Sequence, residues 1–356
     1  MEQLNKNDLG NKTEKILVTG ATGMLGARLV FDLLQEGKHV RAIYRKKERI
    51  AQFVENIGYY TPDAEILNSK VEWLQADVTD YPGLLDALED IDLVYHCAAM
   101  VSFYPPDRYL MHEININGTA NVVNACLEKG INKLCHVSSI AALGKTENGD
   151  LITEQTTWLK EKKASGYSIS KFHSEMEVWR GMNEGLEAVI VNPSVILGPG
   201  EWQSGSPAFY NNIYNGMKFY TTGVTGYVDV RDVSKAMLLL THEKNWELAK
   251  KSRYLLNADN ITYKQLFQSI ARSLKVKEPS IKPPKWLMGL VWRLAWLAGK
   301  LTGKKPLITR HSVEAAIRIA KFDGSKISKQ FGFQYRPITT TIGEIGEMYL
   351  KYKSNQ

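Results

Sequence analysis

Cysteine is scarce in this chain: Cys97, Cys126 and Cys135 are the only three among 356 residues, and none belongs to a Cys-x-x-Cys pair. The seven histidines are scattered without ligand spacing, so neither a disulfide framework nor a structural metal is expected, and the thiols point to a reducing, cytoplasmic setting. The chain does not open on an apolar stretch. Residues 1 to 13 are polar and mixed in charge, and read as a loose extension rather than a secretory signal. No stretch interleaves Lys and Arg with aromatics, so a nucleic-acid groove is not expected. The formal net charge of +7 reads as spread along the chain; it suits an anionic cofactor or an acidic membrane surface. Internal repeats and low-complexity segments are also missing.

What is present is a chain long and apolar enough, at 44% hydrophobic residues, for one large α/β unit or a main domain with a smaller lobe. Lys15 to Gly20 is a short apolar strand running into glycines, Gly26 to Gln35 has helical periodicity, and Val40 to Tyr44 reads as a second strand. Further strands at Val71 to Gln75, Leu93 to Cys97, Lys133 to Val137 and Ala188 to Val191 alternate with helices at Gly83 to Leu88, Ile114 to Lys129 and Tyr167 to Arg180. That alternation predicts an α/β fold, a Rossmann-type doubly wound parallel sheet. The Gly-, Ser- and Tyr-rich run 198 to 226 is too long for an ordinary connector and is expected to shape a pocket. Val228 to Leu240 reads as a strand entering a helix, Arg253 to Asn257 as another strand, and Thr262 to Ser273 as a helix of a smaller, mostly helical C-terminal lobe. The dinucleotide domain is thus placed at 14 to 197 with 227 to 257 returning to it, and the substrate lobe at 198 to 226 and 258 to 352.

Gly20-Ala21-Thr22-Gly23-Met24-Leu25-Gly26 spaces glycines by three between the first strand and first helix. Such glycines permit a tight turn, close approach of backbone N–H groups to a pyrophosphate, and close helix–strand packing, while the helix N-terminus favours the negative charge. At the end of the second strand, where a carboxylate would bind the ribose 2′-hydroxyl of NAD, stands Arg45, followed by Lys46 and Lys47. A guanidinium there pairs with a 2′-phosphate, which favours NADP(H) over NAD.

Tyr167 and Lys171 lie four residues apart, hence on one helical face. A free phenol titrates near pH 10, and a neighbouring ammonium favours its ionised form. Upstream, an apolar strand ends in Ser138 and Ser139, where a hydroxyl projects at the carboxyl edge of the sheet and can hold a substrate oxygen. The order of glycine turn, strand-end serine and Tyr-x-x-x-Lys marks Ser139, Tyr167 and Lys171 as candidates for proton transfer beside a nicotinamide.

Together with Ala76-Asp77-Val78, His96 to Ala99, Asn115 to Thr119, Asn192 to Pro199 and Tyr227 to Val233, these residues resemble the extended short-chain dehydrogenase/reductase superfamily over about residues 14 to 350, and most closely its dihydroflavonol reductase-like and 3β-hydroxysteroid dehydrogenase-like branches. The resemblance implies that Asp77, with Val78 beside it, meets the adenine, that Ala98 and Ala99 line the cofactor ribose, and that Pro193, Ser194 and Val195 border the nicotinamide. From the residues alone, Asp77 is equally a helix cap, and Asn115 is as well read as structural as catalytic. The expected activity is an NADP(H)-dependent exchange between a carbonyl and an alcohol on a hydrophobic small molecule. Sterol or 3β-hydroxysteroid dehydrogenation, suggested in part by Pro306 to Arg310, nucleotide-sugar epimerisation, and a silent NADP sensor remain as alternatives. The resemblance also implies a homodimer, formed through the helices around Ile114 to Lys129 and Tyr167 to Arg180. Trp286 to Ala298, apolar nearly all round with Lys and Arg in or beside it out to 305, is too short to span a bilayer. It reads either as a cover for the substrate pocket or a subunit contact, or as a peripheral membrane helix.

Overall fold

The computed structural model describes residues 14–144, 146, 150–158, 164–302 and 309–356. The N-terminal extension and residues 306 to 308 of the segment Pro306 to Arg310 therefore lie outside the described residues. Among those described, ten strands run β1 Lys15–Thr19, β2 His39–Tyr44, β3 Glu72–Gln75, β4 Leu93–His96, β5 Lys133–Val137, β6 Glu187–Pro193, β7 Val195–Leu197, β8 Val224–Asp229, β9 Ser252–Leu256 and β10 Asp259–Thr262. Seven form one sheet in the order β3-β2-β1-β4-β5-β6-β9, every neighbouring pair parallel. The strand order reverses beside β1, which opens a crevice at the carboxyl ends of β1 and β4.

Both faces of this sheet are covered, so its central strands read as continuous apolar runs. Ile16 and Val18 of β1, Tyr95 of β4 and Val189 and Val191 of β6 point to one face, where they pack with Leu29, Leu33, Met237 and Leu240 from helices Met24–Gln35 and Val230–Thr241. Leu17, Val94, Ala188 and Ile190 point to the other, against Leu84, Val122, Val123 and Val178 of helices Tyr81–Ala87, Gly118–Glu128 and Gly166–Asn183.

A second, three-stranded sheet, β10-β8-β7, stands beside the mostly helical C-terminal lobe. β7 and β10, of three and four residues, give too weak a pattern to stand out. Only Ser194 separates β6 from β7, and only Asn257 and Ala258 separate β9 from β10. The aromatic run after Gly198 departs from expectation. Trp202 and Tyr210 are buried in the lobe core with Tyr227, Ile342 and Tyr349, and the Trp202 indole donates to the Tyr59 hydroxyl at 2.8 Å. Much of that run builds a core, with helix Ala208–Tyr214 inside it. Its remaining part, Glu201 and Ser204 to Pro207, faces the glycine turn across a groove.

That turn has no room to spare. Gly20 has φ +68°, and a Cβ there would lie 2.7 Å from the Ala98 nitrogen; at Gly26 it would lie 2.2 Å from the Gly20 carbonyl oxygen. Gly26→Ala is expected to destabilise the chain by about 1–3 kcal/mol through forced backbone displacement, read as a lower urea midpoint with unchanged m-value.

Candidate active site

The glycine turn delivers the chain into helix Met24–Gln35, whose N-cap is the exposed Gly23. No side chain caps this end and no acidic residue occupies its first turn, so its N–H groups and partial positive charge face outward as an anion site. Thr22 is half-buried, and its carbonyl accepts from the buried Asn56 amide at 3.2 Å. Leu25 sends its side chain into the core. Arg45 is exposed directly after β2, with Lys46 and Lys47 beside it, as its sequence position predicts. Arg49, Gln52 and Asn56 of helix Arg49–Gly58 line the groove beside Thr22, Gly23 and Met24. Sequence reading missed this helix face. Its signal was Phe53 and Ile57, a buried pair four residues apart within a charged stretch.

The other expected cofactor contacts fall along the same sheet edge. Ala98 and the exposed Ala99 follow β4. Asp77 follows β3, where it accepts from the Thr79 N–H at 3.0 Å in a local turn; Asp80, not Asp77, occupies the N-cap position of the next helix. Val78 is a core residue against Gly118, so its side chain is withdrawn from the edge. Pro193 and Ser194 are buried at the end of β6, Val195 is half-buried, and the Ser194 hydroxyl has no partner.

The triad assembles beyond β5. Ser139 is the N-cap of a short 3₁₀ turn, Ile140–Ala142, and accepts from the Ala141 N–H at 3.1 Å. Tyr167 is in the first turn of helix Gly166–Asn183, which Ser165 caps by accepting from the Ser168 N–H at 3.0 Å. Burial raises the Tyr167 pKa, and a side-chain hydrogen bond with Ser139 works against that rise. Lys171 is 3% exposed and donates to the Val137 carbonyl at 2.7 Å. Burial lowers its pKa to about 8, with the Glu175 carboxylate opposing the shift. Sequence reasoning assigned Lys171 the lowering of the phenol's pKa. In the structure its ammonium is engaged by Val137, and burial, not Lys171, dominates the phenol.

A model of the NAD dependent epimerase/dehydratase family matches residues 16–251. The chain belongs to that family. Its relatives place it in the extended short-chain dehydrogenase/reductase superfamily, on the dihydroflavonol reductase and 3β-hydroxysteroid dehydrogenase side. It is 27% identical to a putative dihydroflavonol 4-reductase of Synechocystis, covering 92% of each chain. It is 28% identical to sterol demethylase protein B of Methylococcus capsulatus, covering 89% of this chain and 92% of that one. The crystal structure of gox2253 superposes with a TM-score of 0.75 at 26% identity, over 95% of this chain and 98% of that one. UDP-glucose 4-epimerase of Thermotoga maritima shares the fold, with a TM-score of 0.74 at 18% identity over 95% and 99% of the two chains.

Two buried networks hold this family site in place. The first centres on Glu175, one turn beyond Lys171 and 1% exposed. Its Oε2 accepts from Ser138 Oγ at 2.6 Å and Asn192 Nδ2 at 2.7 Å, and its Oε1 accepts from Arg253 Nη1 at 2.9 Å. Asn192 also donates to the Ser139 carbonyl at 3.1 Å, so the carboxylate fixes the peptide that carries the Ser139 hydroxyl. The second network contains His96. The Thr119 hydroxyl gives its proton to the Asn115 carbonyl at 2.6 Å, so it accepts from His96 Nε2 at 3.0 Å, and Nδ1 accepts from Thr19 Oγ1 at 2.8 Å. Burial and the nearby Lys171 hold His96 near 3, hence neutral.

Asn115 proves to be a brace. It sits in a π-helical segment, His112–Asn117, where its amide bonds both the Met100 carbonyl and the Ser170 hydroxyl at 2.9 Å, and its oxygen accepts from the Met100 N–H at 2.7 Å. Sequence reasoning found neither Glu175 nor Arg253. A lone glutamate on a helix and an arginine in a strand 78 residues later carry no shared local signal. Glu175→Ala leaves the Arg253 guanidinium and two buried donors without their acceptor. We expect a loss of about 3–5 kcal/mol in urea unfolding, together with reduced turnover of the folded fraction.

Proposed function

We propose that this chain is an NADP(H)-dependent oxidoreductase that interconverts a ketone or aldehyde and an alcohol on a hydrophobic small molecule. The observation that carries this reading is the placing of the Ser139 hydroxyl beside Tyr167 at the carboxyl edge of the sheet, with the buried ammonium of Lys171 one turn along the same helix.

The residues at the edge fit a nicotinamide dinucleotide. The uncapped, carboxylate-free helix start and the glycine turn would hold the pyrophosphate, Arg45 with its lysine neighbours the 2′-phosphate, Asp77 the adenine side, Ala98 and Ala99 the ribose, and Pro193 to Val195 the nicotinamide. When bound, the dinucleotide supplies or accepts the hydride. In the reductive direction Tyr167 gives its proton to the developing alkoxide. Its raised pKa keeps that proton in place at neutral pH until the alkoxide forms. The Ser139 hydroxyl holds the same oxygen, and Lys171 holds the nicotinamide ribose. In oxidation the proton runs back along the same path.

An apolar substrate is favoured by Phe103, an exposed ring set edge-on to Tyr167 with centroids 5.9 Å apart, and by the exposed Val101 beside it. Sterol or 3β-hydroxysteroid oxidation is the second reading, favoured by the sterol demethylase protein B of Methylococcus and a 3β-hydroxysteroid-dehydrogenase/decarboxylase of Arabidopsis, each matched over 89% of this chain.

Tyr167→Phe is expected to lower turnover by about 10²–10⁴-fold while NADPH still quenches protein fluorescence at its usual concentration. Substantial residual turnover removes Tyr167 from the role. The natural protein should bind NADPH more tightly than NADH, and Arg45→Asp should cancel the preference, at a cost of about 1.5–3 kcal/mol in NADPH binding. Equal affinities in the natural protein would refute the cofactor assignment.

A further inference from the structure

Positive charge in this chain is not spread out, contrary to the expectation from its overall composition. Between Glu278 and Glu314 there is no Asp or Glu, while seven cations run from Lys282 to Arg310. The chain's other 38 Lys and Arg are matched by its 38 Asp and Glu, so this one stretch carries the whole net charge of +7.

The same stretch holds helix Lys285–Thr302, which packs chiefly against helix Arg310–Ile317. Among its described side chains, Trp286, Leu290, Leu294 and Trp296 are exposed, Trp286 at 71% and Trp296 at 53%. At ~100° per residue these four fall within one arc of about 160°, with Arg293 near its middle. Arg293 lies over the Trp292 ring at 4.8 Å and donates to the Gly289 carbonyl at 2.8 Å. The apolar surface continues at both ends of the unit. Phe219 and Ile281, paired across a β-bridge just before the helix, are exposed, as are Ile317 at the end of its partner helix and Ile319 just after it. No helix among the described residues is long and apolar enough to cross a membrane.

We propose that this face docks on the surface of an anionic phospholipid bilayer. Trp and Leu side chains enter the boundary between headgroups and acyl chains, and exposed cations such as Lys282 and Arg293 bind the headgroup phosphates. A second copy of the chain is a poor occupant, because a two-fold interface sets a patch against itself and would bring the exposed Lys282 and Arg293 up against their own copies. The docking surface does not depend on the proposed activity, since none of its residues belongs to the triad or the cofactor edge.

The test is flotation of the purified full-length chain with vesicles of phosphatidylcholine alone or with about a third phosphatidylglycerol, at low and high salt. We expect flotation with the anionic vesicles at low salt, loss at high salt as charges are screened, and little with neutral vesicles. Two double variants, Trp286→Ser with Leu290→Ser and Lys282→Glu with Arg293→Glu, should each weaken flotation tenfold or more while melting temperature and NADPH binding stay unchanged. The proposal is overturned if the natural chain stays at the bottom with anionic vesicles at low salt, or if both variants float as it does. It is equally overturned if sedimentation reveals a dimer that Trp286→Ser with Leu290→Ser dissolves.

Discussion

One buried carboxylate ties the site to the sheet. Glu175 lies on the helix that carries Tyr167 and Lys171, and it accepts from Ser138 after β5, Asn192 of β6 and Arg253 of β9. Four elements distant in sequence therefore converge on one pair of oxygens. An uncompensated carboxylate in that place would be costly, whereas a fully bonded one fixes its partners, two of which bond a second acceptor as well. The Ser139 hydroxyl, the Tyr167 phenol and the Lys171 ammonium are thus held from behind by one buried group. Arg253 is itself anchored through its Nε to the Glu154 carbonyl at 2.8 Å, while the Glu154 carboxylate accepts from the Leu255 N–H at 2.9 Å.

Burial gives the same helix its electrostatic character. A lysine with 3% exposure loses much of its preference for charge, and the Glu175 carboxylate one turn away restores part of it. The two histidines beneath respond in the same direction. Both His96 and His136 are buried with their pKa values lowered, first by burial and then by the positive charge of Lys171, so they remain neutral and leave Lys171 as the cation of the site. His96 uses both ring nitrogens to join β1 to the helix that begins at Gly118, whereas neither nitrogen of His136 has a partner among the described residues.

The main sheet was legible because its strands are buried on both faces and spell continuous apolar runs, and because Gly20 and Gly26 answer steric demands that other residues cannot meet. Ser139, Tyr167 and Lys171 were singled out by order along the chain, and the structure places Ser139 at the end of β5 and the other two on one helix. What escaped reading depends on long-range contact: the carboxylate of Glu175, the brace made by Asn115, and the groove face of helix Arg49–Gly58. The aromatic run after Gly198 misled for a related reason. Trp202 and Tyr210 are as suitable for a core as for a pocket, and only the arrival of the C-terminal helix Ile338–Ser354, with Ile342 and Tyr349, decides between them.

The passage from the large sheet to the small one is made twice, once through Ser194 alone and once through Asn257 and Ala258. The first crossing is tied to the end of β9 and the second to β8, since the Ser194 N–H donates to the Leu256 carbonyl at 2.9 Å and the Ala258 N–H to the Tyr227 carbonyl at 3.0 Å. A double seam of this kind has no free hinge. The two lobes cannot swing apart as rigid bodies without breaking strand pairing, so any gating of the cleft falls to side chains and loops at its rim, among them the segment carrying Val101 and Phe103.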